Sequence, residues 1–163
     1  MSSIVILIIV LLIIAVFCLI FLFFHHSGRR QRTHALQRRL KKMTHDHRLE
    51  ISLTEETGTA ILGLDAHNNK LVVCRLTGDS FINLDKLKRC SKQKKWLHIP
   101  AEKSTRAETH LEKISLLFEF SDETPAEEFA FYNYHSNSIF QMHELEQKTD
   151  YWELLLTRQI AVR

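Results

Sequence analysis

Residues 59–76 read TAILGLDAHNNKLVVCRL. Two short apolar runs flank Ala66-His67-Asn68-Asn69-Lys70, a connection whose asparagines tolerate left-handed backbone geometry. Ala60, Leu62 and Leu64 fall on one face at the period of a strand, and Leu71 to Leu76 supplies the partner, so the stretch predicts a β-hairpin. Toward the N-terminus, Glu50 to Leu53 reads as the strand that opens the sheet and Glu55-Glu56-Thr57-Gly58 as the turn after it. Beyond the hairpin, Thr77-Gly78-Asp79 turns the chain and Ser80 to Leu84 gives another short strand. Asp85 to Cys90 continues either as an edge strand or as a tight bend.

Residues 91–112 are polar and are expected to be irregular, with Pro100 and one or two helical turns through Ala101 to Leu111. Order returns at Lys113 to Ser121, where Ile114, Leu116, Phe118 and Phe120 alternate with polar residues. Glu127 to His135 alternates again after Asp122 to Ala126, so the two segments predict a second antiparallel pair. The chain then enters a helix over about residues 139–161. Ser138 and Gln141 stand at capping-box spacing, and acids come early and arginines late, in agreement with the helix dipole. Leu145, Thr149, Trp152, Leu156 and Ile160 make one face that should pack on the sheet.

Upstream of residue 49 the chain changes character twice. Ile4 to Phe24 are 21 consecutive residues drawn only from Ile, Val, Leu, Phe, Ala and Cys. As a helix such a run would measure about 31 Å, close to the ~30 Å hydrocarbon core of a bilayer. No basic residue precedes it and no small-residue cleavage site ends it, which argues against a secretory signal. The expectation is a transmembrane anchor over residues 1–25, with the lipid bilayer as partner through residues 4–24. Cations follow the run and none precedes it, so the positive-inside rule expects a single-pass protein of the inner (plasma) membrane, N-terminus outside and the C-terminal domain cytoplasmic.

Residues 26–48 are expected to be a basic juxtamembrane segment, partly helical. Residues 25–48 hold eight Arg or Lys against Asp46 alone, whereas residues 49–163 hold 14 against 18 acids, so the overall +3 hides an asymmetry. Arg29, Arg30, Arg32, Arg38, Arg39, Lys41 and Lys42 surround an apolar stripe of Ala35, Leu36, Leu40 and Met43 at near-helical spacing. A helix of that kind either lies along anionic headgroups, each cation contributing on the order of 1 kcal/mol, or only sets topology. A second cluster, Lys86, Lys88, Arg89, Lys92, Lys94 and Lys95, leads directly to Trp96. It reads as lysines guarding an exposed strand edge, or as a second contact for anionic lipid. Nucleic acid is not expected, because no helix-turn-helix or RNA-binding motif accompanies the charges.

Residues that carry chemistry are sparse. Cys18, Cys74 and Cys90 form no framework and read as reduced thiols. The pair His45 and His47 lacks the further ligands a zinc site needs. None of the phosphate-loop, dinucleotide, nucleophile-elbow or zinc-protease spacings occurs, and the chain holds only four glycines. The chain is therefore expected not to be an enzyme, with no catalytic residue, cofactor or metal.

Several stretches resemble small bacterial membrane proteins that carry a pleckstrin-homology-like (PH-like) domain. ILGLDAHNNKLVVCRL is similar to their first long hairpin, SFINLDKLKRC to a strand leading into a turn, and FAFYNYHSNSIFQMHELEQKTDYWELLL to their last strand and capping helix. The resemblance covers residues 49–163 and implies an α+β fold: a small antiparallel β-barrel or sandwich closed at one end by a C-terminal amphipathic helix, behind an N-terminal transmembrane helix. Inositide-binding members place several cations in the first hairpin loop, where this chain has Lys70 alone, so that activity is not implied. The functional expectation is a membrane-anchored, non-enzymatic interaction or scaffold protein with an unidentified protein partner. The alternative is a module that binds anionic lipid headgroups through segments 29–42 and 86–95.

Overall fold

The computed structural model describes residues 2–99 and 108–161, with side chains at 11–18, 32–98 and 109–161. Helix α1 (Ser2–His47) is followed by strands β1 (Leu53–Glu56), β2 (Ala60–Asp65), β3 (Lys70–Arg75) and β4 (Gly78–Asn83). A 3-10 turn at Leu84–Lys86 leads into β5 (Leu87–Ile99), β6 (Glu108–Phe120) and β7 (Glu127–Asn133). A second 3-10 turn, Ile139–Gln141, opens helix α2 (Met142–Ala161). The strands form two antiparallel sheets, β1-β2-β3-β4 and β5-β6-β7.

The hairpin read at 59–76 is β2 and β3, in register from Ala60 opposite Arg75 to Asp65 opposite Lys70. Asn69 takes the left-handed conformation the turn requires, at φ 51°. Asp65, fully buried, ties this turn down by accepting bonds from the Asn68 backbone and side chain and from the Glu50 backbone. Burial alone would raise its carboxyl, but these bonds outweigh it and hold the group below the ordinary aspartate value.

Three expectations need correction. First, the sheets do not close into a barrel: no backbone ladder joins β4 to any strand of the second sheet. The Asn83-capped turn breaks the ladder between β4 and β5. Side chains bridge the gap instead, Ser80 donating to Glu127 and Arg75 to the Glu128 carbonyl while it pairs with Glu127. Second, among the described residues no helix is long and apolar enough to cross a membrane. Within the run Ile4 to Phe24 the described side chains are Leu11 to Cys18, eight residues and so about 12 Å of helix. The rest of that run's side chains lie outside the described residues. The transmembrane anchor, the bilayer as partner through residues 4–24 and the inner-membrane N-out placement are corrected accordingly.

Third, several element limits move. β1 begins at Leu53 and includes Glu55 and Glu56, because Ser52 already donates to the Leu64 carbonyl and the turn waits for Gly58 at φ 80°. The region expected to be irregular is mostly strand: β5 runs to Ile99 and β6 starts at Glu108, while residues 100–107 lie outside the described residues. Its polar composition hid the strands because the distal half of this pair has no third strand on it: β7 pairs only from Lys113 to Phe118. The capping box stands as read, with Ser138 and Gln141 bonding reciprocally.

The main core lies between the sheets and α2. Leu62, Leu64, Leu71 and Val73 from the first sheet meet Leu116, Phe118, Phe129 and Phe131 from the second, and Trp152 and Leu156 of α2 fill the space between. A second cluster lies on the other face of the first sheet, where Ile61, Val72 and Cys74 pack under Leu36, Leu40 and Met43 of α1. Consequently every residue of β2 is buried, on both faces. Gly63 belongs to this contact: a Cβ there would meet the Leu40 side chain at 3.3 Å. Helix α1 ends where Arg48 turns left-handed at φ 51°, letting Leu49 donate back to the Thr44 carbonyl.

Candidate interaction surfaces

The first basic segment is built on α1. Its apolar stripe is turned toward protein: Leu36 is fully buried, and Leu40 and Met43 pack beside it, while Ala35 is exposed. Polar contacts hold the helix at both ends of the interface. The Thr33 hydroxyl donates to Glu56, Arg39 donates to the Arg75 carbonyl at 2.8 Å and pairs with Asp79 at 3.6 Å, and His47 meets the edge of Phe81 at 4.5 Å. Opposite this seam, Arg32, Arg38, Lys41 and Lys42 are exposed, and among the described residues none of them makes an ion pair. The side chains of Arg29 and Arg30 lie outside the described residues.

The second basic segment is β5, and most of its charge is answered. Lys86 pairs with Asp122, Lys95 with Glu112 and Lys94 with Glu146, while Lys92 reaches both Glu146 and Asp150 of α2. The bond from Lys94, then the attraction of Lys94 and Lys92, outweighs burial and holds Glu146 below the ordinary glutamate value. The bond to Asp150, with Glu146 beside it, raises Lys92. Lys88 and Arg89 remain exposed, at a groove of about 530 Å³ between β5 and the last turns of α2. The free edge of β5 is itself partly used, since the Lys92 backbone N–H donates to Glu153 at 2.7 Å.

The two segments do not form one surface. α1 covers the outer face of the first sheet, whereas β5 and α2 lie beyond its inner face, across the main core. Sequence order placed them both near a membrane; the first sheet stands between them.

The thiols and histidines offer little reactivity. Burial pushes the Cys74 thiol up to about 11, with Asp79 adding to the effect, and its sulfur rests 3.5 Å from that of Met43. Burial likewise pushes Cys90 up to about 12, with Glu153 adding. Neither thiol is appreciably a thiolate at neutral pH, and a thiolate is what nucleophilic chemistry requires. Among the described residues no group of three or more His, Cys, Asp or Glu side chains is placed to hold a metal.

A third surface was not anticipated from the sequence. The loop between β7 and α2 holds Ile139 57% and Phe140 92% exposed, while its polar residues clasp one another. Ser138 N–H donates to the Gln141 side chain, the Phe140 N–H to Ser138 Oγ, and the Asn137 amide to the Thr57 carbonyl on the β1–β2 turn. On its other flank Tyr134, itself exposed, donates its N–H to the Glu112 carbonyl at 2.8 Å and stacks with His110. Trp96, 57% exposed, sits at a register shift in β5 opposite Leu111. No family model, curated protein or solved structure matches the chain. The surfaces therefore have to be read from their own chemistry. The sequence signal for this one was Ser138-Ile139-Phe140-Gln141, where the capping pair forces the two apolar residues between them outward.

Proposed function

We propose that the chain is a non-enzymatic interaction module. One observation carries the reading: Phe140, Ile139 and Trp96 are held in water by a loop and a strand pair that are otherwise well bonded. A Phe side chain left in water forgoes roughly 2–3 kcal/mol of burial, which a partner would recover. The buried, protonated thiols favour the same reading over a catalytic one. The succession of four strands, three strands and a helix favours kinship with PH-like domains, and the lone Lys70 in the first hairpin turn speaks against inositide recognition.

A photo-cross-linking amino acid at Phe140, compared with one at exposed Glu123 on a distant loop, tests the proposal in cells. Discrete adducts at position 140 and few at 123 are expected, whether the adduct is protein or lipid. Equal yields at the two sites, or none at either, would remove the reading.

A further inference from the structure

The exposed apolar side chains are not scattered. The Tyr134–Gln141 loop touches the β1–β2 turn through Asn137, and that turn lies beside Glu56, which accepts from Thr33 of α1. Gln141, next to Phe140, lines a groove of about 310 Å³ together with Thr33 and His34. Tyr134 continues the same rim to the β5–β6 pair and so to Trp96. Ile139, Phe140, Tyr134 and Trp96 thus occupy a rim beside the point where α1 leaves the sheets. One residue further along α1 is Arg32, exposed and without an ion pair among the described residues.

From the partner reading above, on which this step rests, we infer that this rim rests on the surface of a bilayer containing anionic lipid, without crossing it. Three features select lipid over a protein groove. The rim is convex at its tip, since Phe140 stands almost wholly clear of its neighbours, and a single protruding apolar side chain suits a fluid acceptor. Trp and Tyr beside it are the residues whose amphipathic rings settle at headgroup depth. Arg32 and, on the outward face of the same helix, Arg38 and Lys42 supply positive charge that carboxylates have not consumed. The same helix leads away from the sheets to Leu11, Ile13, Ile14 and Phe17, all more than half exposed, so its far portion also calls for an apolar phase. Phe140 and Ile139 would sit below the headgroups, Trp96 and Tyr134 among them, and the arginines at the phosphates.

The chain has two tryptophans, and Trp152 is fully buried, so Trp96 reports on the rim. Full-length protein is added to phosphatidylcholine vesicles brominated on the acyl chains, with or without phosphatidylglycerol. The Trp96 share of the emission should be quenched on the phosphatidylglycerol vesicles, and rising salt should weaken the effect. Replacing Ile139→Ser and Phe140→Ser together should shift half-maximal quenching to roughly tenfold to hundredfold more lipid. Leu154→Ser, on the exposed side of α2, should leave it unchanged. Quenching that survives the double replacement would overturn the inference, as would quenching equal on the two vesicle types. Absence of quenching together with protein-only adducts at position 140 would also overturn it while leaving the interaction-module reading intact; absence of both would take that reading down as well.

Discussion

The two basic stretches, one on α1 and one on β5, look alike in composition and end in opposite circumstances. On α1 the apolar stripe is consumed by the first sheet, and four cations with described side chains are left facing outward without carboxylates. On β5 four of six cations are matched by acids, from α2 for Lys92 and Lys94 and from neighbouring strand and loop for Lys95 and Lys86. A count of lysines and arginines therefore measures attraction for an anionic partner only after the fold has answered some of them. The difference arises because α2 presents Glu146, Asp150 and Glu153 toward β5, whereas sheet residues beneath α1 are apolar.

The comparison breaks most violently at α2. Trp152→Ala should cost about 3–5 kcal/mol, read as a lower urea midpoint, because it empties the centre of the main core and frees the acids that hold β5. Trp152→Phe should cost distinctly less than its lost volume suggests. The indole N–H is buried with no described partner, so its removal relieves an unpaired donor. Equal losses for the two variants would show that the N–H is satisfied.

At α1 the expected effect is smaller and local. Leu36→Ala should cost about 2–4 kcal/mol and should loosen the helix from the sheet before the main core yields. Cys74 makes this visible: it lies under Met43 and is protonated at neutral pH, so a thiol reagent should reach it slowly in the parent chain and much faster in the variant. Cys90, under α2, should keep its slow rate. Parallel acceleration at both cysteines would mean that the two helices are one cooperative unit.

The smallest effect concerns the charges themselves. Glu146 is held below its ordinary value of 4.5 by the bond from Lys94, with Lys92 adding. A carboxylate depressed in the folded state contributes stability that is fully present above the unfolded value and is lost as pH falls through the folded one. Glu146→Gln should therefore cost less than about 1 kcal/mol at neutral pH, since the pairs are partly exposed. The cost should vanish in acid below the folded value. Urea midpoints measured across that range check both the size and the direction.

Much of the architecture was legible before any coordinates. The turn at Asn68-Asn69, the alternation at Lys113 to Ser121 and the Ser138/Gln141 cap all stand where local chemistry put them. What escaped was the role of the second face. Ile61, Val72 and Cys74 are apolar as well as Leu62, Leu71 and Val73, and a run apolar on both faces signals that both are covered. The partner for that face, Leu36, Leu40 and Met43, was visible as a stripe and was assigned to headgroups, because a sequence shows that a face is apolar without showing against what it packs. Tyr134, Ile139, Phe140 and Trp96 were missed for the converse reason: apolar residues are expected inside, and only the fold shows which are left out.

The sequence by itself determined the local elements: two helices, the strand pairs and their turns, each set by backbone preference and by the period of apolar residues along a few turns or strands. Only the tertiary structure decided that α1 lies on a sheet, that the two sheets stay open, and that one lysine cluster is neutralised while the other is free. Those outcomes depend on contacts between residues tens of positions apart, whose strength comes from mutual burial and charge pairing that no single stretch of chain contains.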